Sequence, residues 1–116
     1  MADSVIFTGW DRAVTGREKQ AMKLFQKSMA YYSKLKSEGK IESYESFLLT
    51  PHGGDLNGFI LIRGDAKKLA EVHNDPAAVE IRLEANYCLS GFGSVFGYTG
   101  ETLTKMFAQW AKLIGS

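Results

Sequence analysis

Four consecutive apolar residues, Phe59-Ile-Leu-Ile62, sit inside a strand-length segment running from Leu56 to Gly64. Alternation of apolar and polar residues marks a strand with one wet face, whereas an unbroken apolar run marks a strand covered on both. A chain with such a strand needs a layer on each side of its sheet. Of the 116 residues, 45% are hydrophobic and 23% charged. That is enough apolar material for a packed core and too much for a disordered chain, so one domain over residues 1–116 is expected.

The neighbouring segments supply the other elements. Val5 to Trp10 reads as a first strand. Thr15-Gly-Arg-Glu18 has the pattern of a capping box, and the helix it opens should run to about Glu38, with Gly39 as the residue that ends it. Met22, Phe25, Met29 and Tyr32 recur at three- and four-residue spacing and predict its buried stripe, widened by Ala21, Leu24 and Leu35. Ile41 to Thr50 reads as a second strand, and Pro51-His-Gly-Gly-Asp55 as a hairpin turn into the third. Asp65 caps a helix through Leu69 and Val72; Asp75 and Pro76 restart one through Val79 and Leu83. Tyr87 to Tyr98 predicts a fourth strand, with Ser90, Phe92, Ser94, Phe96 and Tyr98 on one face. Its other face carries Gly91, Gly93 and Gly97, which suggests a helix packed closely against it. After Gly100, Leu103, Met106, Phe107, Trp110 and Ile114 define an amphipathic helix.

Strand, helix, strand, strand, helix, strand is the order of a ferredoxin-like α+β sandwich, here with an extra C-terminal helix. Such a sheet has helices on one face only. Phe92, Phe96 and Tyr98, joined by Phe59 and Phe7, are expected to make the opposite face too apolar for water. A second copy packed sheet to sheet would cover it and enclose a cavity.

In this topology the chain resembles the dimeric α/β-barrel superfamily, whose members include YCII-related proteins, antibiotic-biosynthesis-type monooxygenases, stress-responsive barrel proteins and EthD-like proteins. Gly16-Arg-Glu18, Gly39-Lys-Ile-Glu42 and His52-Gly-Gly-Asp-Leu-Asn-Gly-Phe59 are similar to segments of small bacterial proteins of unassigned function. The resemblance implies a homodimer with a pocket over the sheet. It implies no single reaction, because one fold hosts many chemistries.

His52 and Asp55 flank the double glycine of the hairpin, where a turn can bring them together as an oriented imidazole for general base work. The competing reading makes Asp55 a turn-former and His52 an exposed tip. Glu42 and Glu45 on the second strand are candidate acids or bases if placed beside aromatic walls, or ion-pair partners of Arg63. Arg63 can alternatively bind an anionic ligand, with Phe59, Phe92 and Phe96 as the apolar wall. His73-Asn-Asp-Pro76 places a second histidine beside a carboxylate, but the helix start explains Asp75 and Pro76. Trp10-Asp-Arg12 and Arg17 read as a loop of solvated charges or an anion site.

Several classes are disfavoured. The two histidines have no close-spaced third ligand, so no metal is expected, and the glycines match no phosphate-binding spacing, so no nucleotide cofactor is expected either. Ser90-Gly-Phe-Gly-Ser-Val-Phe96 is similar to an RNA-binding aromatic strand, but lacks the leading basic residue, and the net charge is +1. Nucleic acid is therefore not expected as a partner. No run approaches the roughly 20 apolar residues of a membrane span. The lone Cys88 and the lack of a leader pattern fit a cytoplasmic protein. The function expected from these residues is a small-molecule-binding homodimer, extending to a cofactor-free enzyme on a cyclic or aromatic compound. The alternative is a non-catalytic assembly module.

Overall fold

The computed structural model describes residues 3–115. Strand β1 (Ser4–Trp10) leads through a turn to helix α1 (Glu18–Ser37). Strands β2 (Ser43–Leu48) and β3 (Gly58–Gly64) follow, then helices α2 (Ala66–His73) and α3 (Pro76–Cys88), strand β4 (Gly93–Tyr98) and helix α4 (Gly100–Leu113). The four strands form one sheet in the order β2-β3-β1-β4, with all neighbours antiparallel. This is the expected ferredoxin-like order.

The helix starts show which local signals hold. Asp65 accepts the Lys68 N–H at 3.2 Å and caps α2. Asp75 stands at the N-cap of α3 with Pro76 behind it, but its carboxylate accepts the Tyr31 hydroxyl at 2.7 Å rather than a backbone N–H. The capping box of α1 forms only in part. Arg17, not Thr15, occupies the N-cap, and Glu18 Oε1 accepts the N–H of Gly16 at 2.9 Å. Gly16 has φ +91°, so the chain is still turning where the box pattern places the first helical turn.

Two further expectations are corrected. Helix α3 runs to Cys88, so Tyr87 and Cys88 are helical and β4 begins only at Gly93. Ile81, Ala85 and Cys88 extend the helical spacing of Ala78 onto a face buried against α1, which outweighs any strand preference there. The link from β2 to β3 is a nine-residue loop over residues 49–57 rather than a tight hairpin, closed by Leu49 N–H on Asn57 O at 2.9 Å.

The buried face of α1 is Leu24, Ser28, Tyr32 and Leu35. The expected stripe is therefore rotated: Met22 is 61% exposed and Phe25 38%. The sheet faces are set by β1 and β3, where Ile6, Ile60 and Ile62 point to the helices and are buried. Register carries this assignment outward, because residues directly paired across antiparallel strands share a face. Ile6 pairs with Phe96, Ser4 with Tyr98 and Thr8 with Ser94. Phe96, Tyr98 and Phe92 therefore lie on the helix side, and the His73 and Phe96 rings meet edge to face with centroids 4.9 Å apart. The expectation that this row forms the open face is overturned. Gly93 and Gly97 are the ones on the open face, opposite Gly9 and Val5, and no helix covers them.

The open face has its own aromatic row. Phe59 stacks on Phe7 at 5.1 Å and on Phe47 at 4.6 Å, across β1, β3 and β2. Among the described residues, no helix is long and apolar enough to cross a membrane.

Candidate functional site

Two clusters of buried side chains lie on the helix side of the sheet. One joins Ile6, Ile60 and Ile62 to Tyr32, Leu35, Leu69 and Val72; the other joins Leu24 of α1 to Ile81, Ala85 and Cys88 of α3. They do not merge. Members of both line a cavity of about 600 Å³ between the sheet and helices α1 and α3. That volume suits a small organic ligand. The walls are mostly aliphatic and aromatic, with Ile6, Ile60, Leu24, Ile81, Trp10 and Phe92 among them.

A few polar groups interrupt this apolar lining. On the sheet, Thr8 and Ser94 share a hydroxyl hydrogen bond at 3.0 Å. On the helices, Arg82 Nη1 lies 3.2 Å from His73 Nδ1. Arginine is always a donor, so Nδ1 accepts and the neutral ring carries its proton on Nε2. Burial lowers the His73 pKa below its ordinary value of 6.5, and the Arg82 charge pushes the same way. Tyr32, 8% exposed and in the same wall, has its phenol pushed up to about 12 by burial. Its hydroxyl has no hydrogen-bond partner among the described residues. Tyr31 is held by Asp75, and burial raises its phenol far above the usual range.

Local sequence explains the convergence. Asn74 ends α2, Asp75 and Pro76 start α3, and the turn brings His73 from one helix against Arg82 of the next. Arg82 is adjacent to Ile81 on the face of α3 that looks into the cavity. Reading the His73-Asn-Asp-Pro76 segment as a helix junction accounts for Asp75 and Pro76 but overlooks His73 and Arg82. The available signal was an arginine beside the buried stripe of a helix, nine residues from a histidine across a break.

The other sequence candidates are scattered. His52 Nδ1 accepts the Gly54 N–H at 3.1 Å and Nε2 lies 2.7 Å from Leu56 O, so the ring braces its own exposed loop and does not meet Asp55. Arg63 and Phe59 are on the open sheet face with Glu45, whereas Glu42 is exposed just before β2. No ion pair joins Arg63 to either glutamate among the described residues. His52 and Arg63 stand at opposite ends of the β2-β3 pair. Phe92 lines the cavity, and Phe96 touches it through His73. Arg17 is engaged away from any anion site, donating to Tyr87 O at 2.9 Å and lying 3.9 Å over the Tyr87 ring. Among the described residues, no group of three His, Cys, Asp or Glu is placed to hold a metal ion.

The lowered His73 pKa has a consequence for stability. The unfolded chain takes up this proton more readily than the folded one, so the histidine's contribution is complete above pH 6.5 and is lost as pH falls below it towards the folded value. The urea midpoint of the wild-type protein is expected to drop between about pH 7 and pH 5, and His73→Gln to flatten that drop. Equal slopes for both proteins would show that His73 titrates as it does in water.

This ferredoxin-like sandwich has known structural counterparts. A DABB-family protein with a ferredoxin-like fold from Mesorhizobium loti matches with a TM-score of 0.65 at 10% identity, over 86% of this chain and 99% of that one. A hydroxynitrile lyase from Passiflora edulis matches at 0.63 and 13% identity, over 85% and 95%. A dimeric ferredoxin-like protein of unknown function from Thermobifida fusca matches at 0.62 and 11%, over 84% and 92%. No family model and no curated protein sequence matches the chain. At these identities the likeness shows the fold alone, which is ferredoxin-like.

Proposed function

We propose that this protein is a homodimer that binds a small cyclic or aromatic compound in the cavity of each protomer. The observation that carries the reading is a 600 Å³ apolar cavity whose wall includes the His73–Arg82 pair. Flat apolar walls accept a ring, and a guanidinium with one hydrogen bond committed to His73 has further N–H donors for an anionic or carbonyl oxygen. If Arg82 turns to the ligand, Nδ1 of His73 loses its donor, and its lone pair is free to accept a proton. The pair thereby becomes a base triggered by the ligand, and this supports extending the reading to cofactor-free acid–base chemistry. Phe92 stays in the role of an apolar wall. His52, Asp55, Glu42, Glu45, Arg63 and Phe59 lie outside this cavity. The dimeric ferredoxin-like neighbour and the lyase are consistent with the reading, and the stacked Phe7, Phe59 and Phe47 supply a face for a second protomer.

The test is a thermal-shift screen of aromatic and alicyclic carboxylates, phenols and ketones. Ring carboxylates are expected to stabilise the wild-type protein and to bind Arg82→Met at least tenfold more weakly, the loss of one charge-assisted contact of about 1.5–3 kcal/mol. His52→Ala and Arg63→Ala should bind as wild type does. Silence across the whole library would favour the non-catalytic assembly module, for which the half-buried aromatic row of the open face is the supporting observation.

A further inference from the structure

Helix α4 buries none of its residues, yet it is strongly amphipathic. Leu103, Met106, Phe107, Trp110, Leu113 and Ile114 fall along one stripe and are 37% to 78% exposed. The radius of gyration is 15.9 Å, against about 13 Å for a compact domain of this length, and the longest dimension is 52 Å. An arm that projects from the body accounts for both.

The joint shows why α4 does not fold back. Only Thr99 separates β4 from α4, whereas strand-to-helix connections in packed α/β units usually take about two to six residues. Thr99 N–H donates to Asp3 O at 3.1 Å, and the Thr102 hydroxyl donates to Asp3 Oδ2 at 2.7 Å. These bonds tie the first turn of the helix to the start of β1 and aim the rest away from the sheet.

We infer that α4 is an exchanged arm, whose Leu103, Met106, Phe107 and Trp110 stripe docks on a second copy of this chain. The inference rests on the homodimer reading above and adds a contact that reading does not contain. Three observations select a second copy as the occupant. The six apolar side chains leave on the order of 600 Å² uncovered on each protomer, and in a two-fold dimer each protomer also covers the surface that its partner's arm meets, which brings the area up to the roughly 800 Å² per partner of a stable interface. Helix α4 leaves from edge strand β4, whose Val95 is 58% exposed on the open sheet face, so arm and sheet form adjoining apolar surfaces. The polar side of α4 is nearly neutral, with Glu101 paired to Lys105 at 3.4 Å and Lys112 beyond, unlike the Lys- and Arg-rich face of a helix that lies on anionic lipid.

The experiment uses the full chain and the variant Phe107→Asp/Trp110→Asp, whose changes lie on surface that the isolated protomer leaves exposed. Amide hydrogen exchange is followed over residues 103–113 across the concentrations at which sedimentation shows the dimer forming. Protection that rises with the dimer fraction, and a dimer weakened at least tenfold in the variant, are the expected results. Three results would overturn the inference: exchange in α4 independent of concentration with an unchanged variant dimer, protection already complete in the monomer, or protection only on adding phosphatidylserine vesicles. A wild-type protein that never dimerises overturns it as well. Failure of the sheet-face reading is distinguishable, because Phe59→Asp would then leave a dimer that Phe107→Asp/Trp110→Asp still breaks.

Discussion

Phe59→Asp is expected to weaken the proposed dimer more than 100-fold while each protomer remains folded. Phe59 is the middle ring of the open-face row, stacked on Phe7 and Phe47. In the lone protomer it is partly exposed, so an aspartate there can reach water and the loss is that of two ring contacts, about 1–3 kcal/mol. Once a second sheet covers this face, the carboxylate is shut off from water among Phe7, Phe47 and Leu61, and Arg63 lies four residues further along β3, about 13 Å away and out of pairing reach. Removing an unpaired charge from water into such an interface costs about 3 kcal/mol or more, a little over 100-fold in the dissociation constant. Sedimentation equilibrium at several loading concentrations reads the constant, and circular dichroism checks the fold. A folded variant with wild-type affinity would place the interface elsewhere.

Leu69→Ala should destabilise the protomer by about 3 kcal/mol, within the usual 2–5 kcal/mol range for emptying a fully buried leucine site. Leu69 has 0% exposure and joins α2 to the main core cluster with Ile41, Ile62 and Val72. Its packing against the sheet is tight: a Cβ on Gly64 would come within 3.1 Å of Leu69 Cδ2. The strand and helix backbones are fixed by their hydrogen bonds and cannot close over the void. Urea unfolding in the Phe59→Asp background, at concentrations where sedimentation shows only protomers, gives the figure without a contribution from protomer concentration. A loss below 1 kcal/mol would mean that this cluster collapses readily, at odds with a cavity that stays open beside it.

These two sites differ in how far sequence alone reveals them. Leu69 is legible, since the Asp65 cap and the Leu69–Val72 spacing give both the helix and its inner face. The aromatic row of the open face is legible only in part. Phe7 and Phe59 belong to it, but Phe92, Phe96 and Tyr98 alternate just as regularly and point the other way. Alternation shows that residues two apart share a face; it does not say which face the helices take. That decision comes from the pairing of Ile6 with Phe96, a contact between segments 90 residues apart. The same gap explains the candidate site. Sequence drew attention to His52 beside Asp55, which are near in the chain, whereas the pair in the cavity wall is His73 and Arg82, joined across a helix break.

Local chemistry in the chain thus determined the order of elements, the Asp65 cap, the Asp75-Pro76 helix start, the Gly39 stop and the ferredoxin-like class. These depend on backbone hydrogen-bond satisfaction and side-chain period within a few residues. Tertiary structure alone decided which sheet face is covered, where the two clusters of core side chains fail to meet and leave a cavity, and that α4 stands clear of its own protomer. Each of these depends on the relative position of segments far apart in the chain, which periodicity cannot encode.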